Sequence, residues 1–268
     1  MSQKIVLLTG ASGGLGTAIA SHLDKNKYKI YGTSRKKIES DLFIPVQMDL
    51  TDKDSIREAI HYIINKEKKI DILINNAGIG ITGSIEETPI EAVRKVFETN
   101  LFGMMTLIQE VLPHMREQKS GTIINVSSIA GYTGLPFRGI YGATKSAVMR
   151  MTEALSAETK SLGIKVVDVA PGDFKTKIAE GRIYTELKEN SPYYPDYKQN
   201  LKMIDEEVDA GLEPDVLGKK IQKIIENPSP KLRYNIGIIM QKLTPFLVTC
   251  LPGRFFEKLI RKHYKMKE

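Results

Sequence analysis

The chain has 268 residues, of which 41% are hydrophobic and 26% are charged, a composition ordinary for a soluble globular protein. Its single cysteine, Cys250, excludes an intramolecular disulfide and a cysteine metal cluster, so no metal site is expected. The formal net charge of +7 comes without a nucleic-acid recognition motif, and we therefore expect no nucleic-acid partner. The first residues lack the features of a signal peptide, and no apolar run reaches the ~20 residues that span a bilayer, so a cytoplasmic location is expected.

Strand-like apolar segments alternate with segments of helical period from the start of the chain to about Pro171. The predicted strands are Ile5–Leu8, Lys29–Thr33, Ile44–Gln47, Ile70–Asn75, Gly121–Ser127 and Lys165–Ala170. The predicted helices are Gly14–Lys25, Asp52–Lys66, Pro89–Arg116 and Tyr141–Leu162. Near-continuous hydrophobic strands separated by helices predict an α/β fold, with a Rossmann-like, doubly wound parallel sheet and helices on both of its faces.

The pattern becomes looser after Pro171 and Gly172. We expect a flexible excursion of the substrate loop over about residues 176–212, and a helix near Pro214–Asn227. A C-terminal extension is expected over about residues 231–268. Because no linker separates a second unit, the whole chain, residues 1–268, is predicted to form a single dinucleotide-binding and catalytic domain.

A glycine-rich turn follows the first predicted strand, with the pattern T-G-x-x-x-G-x-G rather than G-x-G-x-x-G. Glycines permit a tight turn, and a helix N-terminus offers unpaired N–H groups and a positive dipole to a pyrophosphate. A purely structural turn is the alternative, but the position between the first strand and the first helix favours a cofactor site. The residues assigned to this site are Thr9, Gly10, Ser12, Gly13, Gly14, Leu15 and Gly16.

The residues after the second predicted strand distinguish between the two dinucleotides. NAD sites usually carry an acidic residue about 20 positions beyond the glycines, whereas here the strand ends in Ser34, Arg35 and Lys36. A guanidinium can bind a 2′-phosphate through paired, charge-assisted hydrogen bonds. Two solvated loop cations are the alternative. The sequence therefore predicts NADP(H), with Ser34 and Arg35 in the site, and an NAD-linked enzyme is the rival hypothesis.

Reacting groups are predicted around the end of strand Gly121–Ser127. Tyr141 follows Ser128 by 13 residues, and Lys145 lies one helical turn after Tyr141 on the same face. An ammonium beside a phenol lowers the tyrosine pKa from its usual ~10, which makes the phenol a better acid or base near neutrality. The two residues alone would more often form an ordinary surface pair, but the serine and the glycine-rich turn favour catalysis.

Six blocks occur in the order that they have in short-chain dehydrogenases/reductases of the classical type, and the chain resembles that family closely from Ile5 to about Thr176. The blocks are Thr9–Gly16, Asp49, Asn75–Gly78, Asn100, Ser128 with Tyr141 and Lys145, and Pro171 and Gly172 with Thr176. The chain does not close as the family's β-ketoacyl-carrier-protein reductases do, but continues into Leu243–Glu268. This departure favours the branch that is similar to hydroxysteroid and retinol dehydrogenases.

The resemblance implies a role for each reacting residue. Tyr141 would donate a proton to the carbonyl oxygen in reduction, and Lys145 would lower the pKa of Tyr141 and hold the nicotinamide ribose. Ser128 would bind the substrate oxygen; Ser127 is the rival, but the spacing to Tyr141 favours Ser128. Asn100 would anchor a water between Lys145 and solvent, or alternatively would bend or cap a helix.

The resemblance also implies further cofactor contacts. Asn76 and Gly78 would shape the loop beside the adenosine ribose, and Thr176 would meet the carboxamide of the nicotinamide. Asp49 would contact the adenine amino group, or alternatively would cap the next helix. The neighbours assigned with them are Leu50, Ala77, Pro171 and Gly172.

The expected walls of the substrate pocket, Ile79–Ile81, Ile129–Phe137, Phe174 and Ile178–Tyr197, are largely apolar. They predict a hydrophobic ketone, aldehyde or secondary alcohol as the substrate, and family usage of NADP(H) implies reduction in cells. Because the reacting residues are intact, an enzyme is favoured over a non-catalytic dinucleotide-binding regulator.

Two interpretations of the C-terminal tail remain open. Its apolar residues, interleaved with lysines and arginines, form a basic amphipathic segment that would make weak contact with an anionic membrane surface. The same segment would equally suit a helix that packs on the body of the protein or on a second subunit. The resemblance implies a homodimer or homotetramer, commonly formed through the helices Pro89–Arg116 and Tyr141–Leu162.

Overall fold

The protein is built around a parallel sheet, in a computed structural model that describes residues 3–176 and 181–266. Its strands, in chain order, are β1 Lys4–Leu8, β2 Tyr28–Ser34, β3 Ile44–Gln47, β4 Ile72–Asn75, β5 Ile81–Thr82, β6 Gly121–Val126, β7 Ile164–Pro171, β8 Ile183–Tyr184 and β9 Arg233–Ile236. Seven of these form the main sheet, in the order β3-β2-β1-β4-β6-β7-β9, and all neighbours in it are parallel. β5 and β8 pair in a separate two-stranded sheet.

Helices lie between these strands and after the last one. They are α1 Gly14–His22, α2 Lys53–Glu67, α3 Ile90–Phe97, α4 Gly103–Glu117, α5 Gly139–Thr159, α6 Tyr194–Asp209, α7 Pro214–Glu226, α8 Ile239–Cys250 and α9 Gly253–His263. A π-helical segment, Glu98–Phe102, joins α3 to α4. The single helix predicted over Pro89–Arg116 is therefore interrupted at this segment.

Alternate residues of β1 enter two different hydrophobic cores, because successive side chains of a strand point to opposite faces of the sheet. Ile5 and Leu7 belong to a core that also contains residues of α2, α4 and α5. Val6 and Leu8 belong to a second core, with residues of α1 and α7. The sheet is covered on both faces, and the predicted Rossmann-like, doubly wound α/β fold is confirmed.

The structure differs from the sequence prediction in the region expected to be an irregular excursion. This region contains β8 and the sixteen-residue helix α6, while residues 177–180 lie outside the described part of the chain. The prolines and serine near Tyr193 suggested a loop, but Pro195 lies in the first turn of α6, where its missing N–H is not needed. The helix could therefore begin inside a segment that looked like a turn.

The C-terminal extension also begins later than predicted. β9 pairs with β7 at the edge of the main sheet, so the part that stands outside the sheet starts after Ile236. The apolar segment expected at Tyr234–Met240 combines β9 with the start of α8. The organisation of the chain as one domain remains a prediction.

Candidate active site

The turn between β1 and α1 requires glycine at two positions. Gly10 has a φ of +64°, and a Cβ there would lie 2.9 Å from the Cα of Ala77. A Cβ on Gly16 would lie only 2.1 Å from the carbonyl oxygen of Gly10. α1 begins after Gly13 without a side-chain cap and has no acidic residue in its first turn. Its free N–H groups and positive dipole therefore suit an anionic group such as a pyrophosphate.

Polar contacts fix this turn to the loop that follows β4. The Thr9 hydroxyl oxygen accepts hydrogen bonds from the N–H groups of Asn76 and Ala77, each at 3.0 Å. The side-chain amide of Asn76 donates to the carbonyl oxygens of Thr9 and Gly10, at 3.0 and 3.3 Å. On the other side, a Cβ on Gly14 would lie 3.0 Å from Cγ2 of Thr176. Residues assigned to the cofactor from three separate segments thus meet around the start of α1.

Ser34 ends β2, and Arg35 follows as an exposed residue. The Ser34 hydroxyl accepts a hydrogen bond from the Lys36 N–H at 3.3 Å, while the Arg35 carbonyl accepts one from Gln47 at 3.1 Å. Within residues 3–176 and 181–266, the Arg35 guanidinium makes no ion pair. It is therefore open to an anionic group that reaches the end of β2.

Asp49 lies just beyond β3, beside the buried Leu50. Asp49 Oδ1 accepts hydrogen bonds from the backbone N–H and the hydroxyl of Thr51, at 2.9 and 2.8 Å. The cap of α2 is Asp52, whose carboxylate accepts from the N–H groups of Asp54 and Ser55. The alternative that Asp49 caps this helix is therefore wrong, because the helix begins three residues later than that role requires.

Ser128 and Tyr141 meet where β6 and α5 come together. The Tyr141 side chain is hydrogen bonded to Ser128, whose hydroxyl also donates to the Pro171 carbonyl at 3.4 Å. The same hydroxyl accepts from the Ala130 N–H at 3.1 Å. Ser127 donates instead to the Val169 carbonyl at 3.3 Å on β7. Of the two serines, Ser128 is thus the one in contact with Tyr141.

Lys145 is buried and its ammonium donates to the Val126 carbonyl at 3.0 Å, with Nζ 5.8 Å from the centre of the Tyr141 ring. Burial lowers the pKa of Lys145 to about 8, although the negative charge of Asp168 raises it in part. Burial also raises the pKa of Tyr141, and the hydrogen bond with Ser128 only partly offsets this. The predicted lowering of the Tyr141 pKa by Lys145 is therefore not observed, because desolvation dominates and the ammonium points at a carbonyl.

Asn100 lies in the π-helical segment and is 2% exposed. Its side-chain carbonyl accepts from the Ile79 N–H at 2.8 Å, and its amide donates to the Ile79 carbonyl at 2.9 Å and to the Thr144 hydroxyl at 3.2 Å. Thr144 in turn donates to the Tyr141 carbonyl at 2.8 Å. The helix is irregular at Asn100, as the alternative hypothesis stated, and π-helical bulges often occur at functional sites. The water contact of Asn100 remains a prediction.

Ser128, Tyr141 and Lys145 line a cavity of about 620 Å³, together with Leu15, Asn76, Gly78, Pro171, Gly172 and Thr176. Of the expected walls, Ile79–Ile81 and Phe174 also line it, and Ile178 lies outside the described residues. The segment Ile129–Phe137 contributes Ile129, Ala130, Thr133 and Leu135, and the segment Ile178–Tyr197 contributes Arg182. Tyr197 does not line it: its ring packs 5.3 Å from that of Phe137, and its hydroxyl donates to the Thr82 carbonyl.

The C-terminal helices close the opposite side of the cavity, which the sequence did not predict. Apolar residues that they place in the lining are Leu247, Phe256, Leu259 and Ile260. Gln241 on α8 donates to Asp173 Oδ2 at 2.5 Å, and Tyr264 after α9 is hydrogen bonded to Arg138. The tail therefore packs on the body of the protein, over the reacting groups. In the described part of the chain, no helix has the length and apolar character to cross a membrane.

Comparison with known proteins identifies the family. Residues 4–186 match the family model described as short chain dehydrogenase. The chain belongs to this family. It is similar to 3-ketodihydrosphingosine reductase of Bacteroides thetaiotaomicron, with 38% identity over 269 residues and 100% coverage of both chains. It is also similar to the NADPH-dependent 3-dehydrocapnine reductase of Ornithobacterium rhinotracheale, with 29% identity and 98% coverage of both.

Among solved structures, the short chain dehydrogenase described here is similar to ElxO with NADP bound, with a TM-score of 0.72 and 27% identity. That match covers 88% of this chain and 96% of the other. The protein is accordingly an oxidoreductase with the Rossmann-like fold of its family. The family model ends before α6, α8 and α9, so it does not include the helices that close the cavity.

Sequence reasoning missed a buried carboxylate behind the reacting groups of this dehydrogenase. Asp168 on β7 is fully buried and pairs with Arg233 on β9. Its charge raises the pKa of Lys145. A signal was present, because Asp168 interrupts the apolar run Val166–Ala170 in a strand that is buried on both faces.

Proposed function

We propose that this short chain dehydrogenase uses NADPH to reduce the keto group of a long-chain, sphingoid-type 3-ketone to an alcohol. The observation that carries the proposal is the enclosure of Ser128 and Tyr141 by a mainly apolar cavity that α8 and α9 close. The names of the two relatives support the substrate class, because each denotes a reductase and one denotes a 3-keto sphingoid base. The proposal narrows the substrate class that the sequence predicts, a hydrophobic ketone or aldehyde, to long-chain 3-ketones.

The residues around α1 fit a dinucleotide. The space that a Cβ would fill at Gly10 and Gly16 is occupied by backbone, so only glycine lets the chain turn tightly enough to expose the first N–H groups of α1. Arg35, which makes no ion pair within the described residues, would hold the 2′-phosphate of NADP(H). The acidic residue that NAD sites usually carry at the end of this strand is missing from Ser34, Arg35 and Lys36. The similarity to an NADPH-dependent reductase and to a structure with NADP bound supports this assignment.

When bound, the reduced nicotinamide supplies the hydride, and the chain's own residues handle the oxygen and the proton. Ser128 would donate a hydrogen bond to the substrate oxygen, and the Tyr141 hydroxyl would give it a proton. Because burial raises the pKa of Tyr141, the residue is a neutral phenol near pH 7 and already holds the proton that reduction requires. Lys145 would hold the nicotinamide ribose, and Asn100 would anchor the water that returns a proton.

We expect the alkyl chain to extend away from the reacting groups along α8 and α9. A second cavity, of about 530 Å³, adjoins the first and shares Thr133, Leu135, Phe256 and Ile260 with it. The two together run between the loop that precedes α5 and the helices α8 and α9. Each methylene that leaves water for such a path contributes about 0.8 kcal/mol, so a long chain would bind far better than a short one.

We place the protein in the cytoplasm, where the surface of its C-terminal helices would make a weak contact with an anionic membrane. Large apolar side chains are exposed there, among them Ile239 at 75%, Phe246 at 63% and Phe255 at 52%. Lysines and arginines flank them. Cosedimentation with vesicles that contain phosphatidylglycerol should retain the protein at low salt and release it at high salt. Vesicles of neutral lipid alone should retain less.

A homodimer or homotetramer is proposed through the helices on either side of the π-helical segment and through α5. In these helices and the π-helical segment, the large apolar residues Ile90, Phe102 and Met105 are exposed at 56%, 45% and 38%, as is common for side chains that a partner subunit covers. Light scattering of the purified protein measures the subunit number. A monomer at micromolar concentration would contradict the assembly without affecting the proposed chemistry.

An assay with four reaction mixtures tests the function: NADPH or NADH, each with 3-ketodihydrosphingosine or with a short-chain ketone. We expect oxidation of NADPH with the long-chain substrate, and much slower reaction in the other three mixtures. Equal rates with NADH would favour the NAD-linked alternative. Binding of NADPH without turnover of any ketone would favour a non-catalytic regulator and would overturn the proposal.

A further inference from the structure

One carboxylate of the active-site cavity is not committed to an ion pair. Asp173 follows Pro171 and Gly172 directly and lines the same cavity as Ser128 and Tyr141. Its Oδ2 accepts a hydrogen bond from Gln241 at 2.5 Å. Across the described residues, no side chain donates to Oδ1 and no cation lies within ion-pair distance of Asp173.

Apart from Lys145, whose ammonium donates to the Val126 carbonyl, the other charged groups of the cavity wall take part in ion pairs. Glu207 pairs with Arg138 at 3.4 Å and with His263 at 2.8 Å. Arg182 pairs with Asp205 at 3.0 Å. The charges of Arg138 and Arg182 still stabilise the carboxylate of Asp173 from a distance, but burial raises the pKa of Asp173. Asp173 is partly buried, and a carboxylate that has lost part of its hydration and keeps one oxygen free is stabilised when a cation or a hydrogen-bond donor reaches it.

We propose that Asp173 is a specificity-determining residue that binds the ammonium group next to the keto carbon of a 2-amino-3-ketone. This inference rests on the proposed function and assigns to one residue the recognition of the amino group of its sphingoid-type substrate. The keto oxygen at Ser128 and Tyr141 and the ammonium at Asp173 would fix the substrate at two adjacent positions. The alkyl chain then extends towards α8 and α9.

Glu207 is less suited to the same task, because its carboxylate is shared between Arg138 and His263. Asp168 lies behind Lys145 and is committed to Arg233. Asp173 is the acidic residue that both lines the cavity and keeps an oxygen free within residues 3–176 and 181–266. Gln241 orients that oxygen by holding the other one.

The experiment compares an amino ketone with its deamino analogue in the Asp173→Asn variant. Asparagine keeps an oxygen that can accept from Gln241 but removes the charge, so the attachment of α8 is preserved. We expect kcat/KM for a 2-amino-3-ketone to fall by about tenfold to a hundredfold, the range of a hydrogen bond to a charged group. For the deamino ketone of equal chain length, kcat/KM should stay near the wild-type value.

Two control variants separate recognition from a structural role. Gln241→Leu removes the partner that orients Asp173 and loosens α8, so it should lower kcat/KM for both ketones. Asp215→Asn makes the same chemical change at an exposed residue of α7 and should impair neither. An equal decrease of kcat/KM for both ketones in Asp173→Asn would overturn the inference and assign Asp173 to the attachment of α8.

A binding measurement keeps this test independent of catalysis. The probes are a medium-chain 2-amino-3-alcohol and the matching 3-alcohol, with affinities measured by thermal unfolding at several probe concentrations. Wild-type protein should bind the amino alcohol at least about tenfold more tightly, and Asp173→Asn should bind the two alike. Unchanged discrimination in the variant would overturn the inference. Discrimination by Asp173 without reduction of any 3-ketone would overturn the proposed function alone.

Discussion

The two sides of the active-site cavity are built differently. The side that β1, β4, β6, α5 and the π-helical segment form is held by buried, hydrogen-bonded groups such as Thr9 and Asn100. The side that α8 and α9 form contains no fully buried residue, although the structure describes both helices completely. Local stability follows burial and buried hydrogen bonds, so the first side should be rigid and the second should open more readily. The rigid side would therefore carry out the chemistry, and the side that opens would select the substrate.

The largest expected effect comes from the rigid side. Tyr141→Phe removes the proton donor, and we expect turnover to fall by about a hundredfold to ten-thousandfold, the usual contribution of a general acid. The stabilisation that NADPH gives against thermal unfolding should persist, because the hydroxyl is not needed for the turn around Gly10. Turnover close to wild type in steady-state kinetics would contradict the role of Tyr141.

Next in size is the exchange of Arg35 for aspartate. We expect Arg35→Asp to weaken the binding of NADPH by about tenfold to a hundredfold and to spare NADH, because the carboxylate repels a 2′-phosphate but accepts a hydrogen bond from a ribose hydroxyl. Titration of each cofactor gives the two dissociation constants. Lys37→Asp, a like exchange two residues further on, is the control. An equal loss of affinity for both cofactors would contradict the assignment.

A third prediction concerns the pH dependence of stability. The pKa of Lys145, lowered to about 8 by burial, lies below the ~10.4 of an unfolded lysine. Between these two pH values the unfolded chain binds more protons than the folded chain does. The free energy of unfolding therefore increases as the pH rises through this window. Urea unfolding of Lys145→Met should lack this gain, which amounts to about 3 kcal/mol across the window. The same slope in both proteins would show that Lys145 is not desolvated.

The smallest effect is expected at the attachment of the tail. Tyr264→Phe removes the hydroxyl that bonds Arg138, and a buried donor left without its partner costs about 1–3 kcal/mol. Because α9 opens locally, we expect faster hydrogen exchange in α8 and α9 and an increased KM for long-chain ketones, with kcat unchanged. Tyr62→Phe, at an exposed tyrosine of α2, is the control. A uniform loss of stability would contradict local opening.

The same division explains how much could be predicted from the sequence. Glycines at 10 and 16, a serine before Tyr141 and a lysine one turn later leave a local pattern. The structure brings Ser128, Tyr141 and Lys145 together around one cavity, and the two glycines shape the turn beside it. The pKa of Tyr141 was predicted in the wrong direction because burial depends on residues that are distant in sequence. Its dominant cause is desolvation, which no spacing of Tyr141 and Lys145 reveals.

The other side of the cavity could not be predicted for a related reason. α6 was concealed by Pro192 and Pro195, which look like loop residues until the first turn of the helix is placed. Asp173, Glu207 and Gln241 are unremarkable in the sequence, because their roles arise from contacts between segments that are distant in the chain. The sequence showed only that the tail is basic and amphipathic, and of its two interpretations the structure shows packing on the body.

The most direct test of the central claim follows the hydride. The protein is incubated with 3-ketodihydrosphingosine and NADPH that carries deuterium at the transferred position, and the product is analysed by mass spectrometry. The proposed function predicts an alcohol with a single deuterium on the former keto carbon, formed by wild-type protein and not by Tyr141→Phe. Recovery of unlabelled ketone with wild-type protein, at cofactor concentrations that saturate binding, would contradict it.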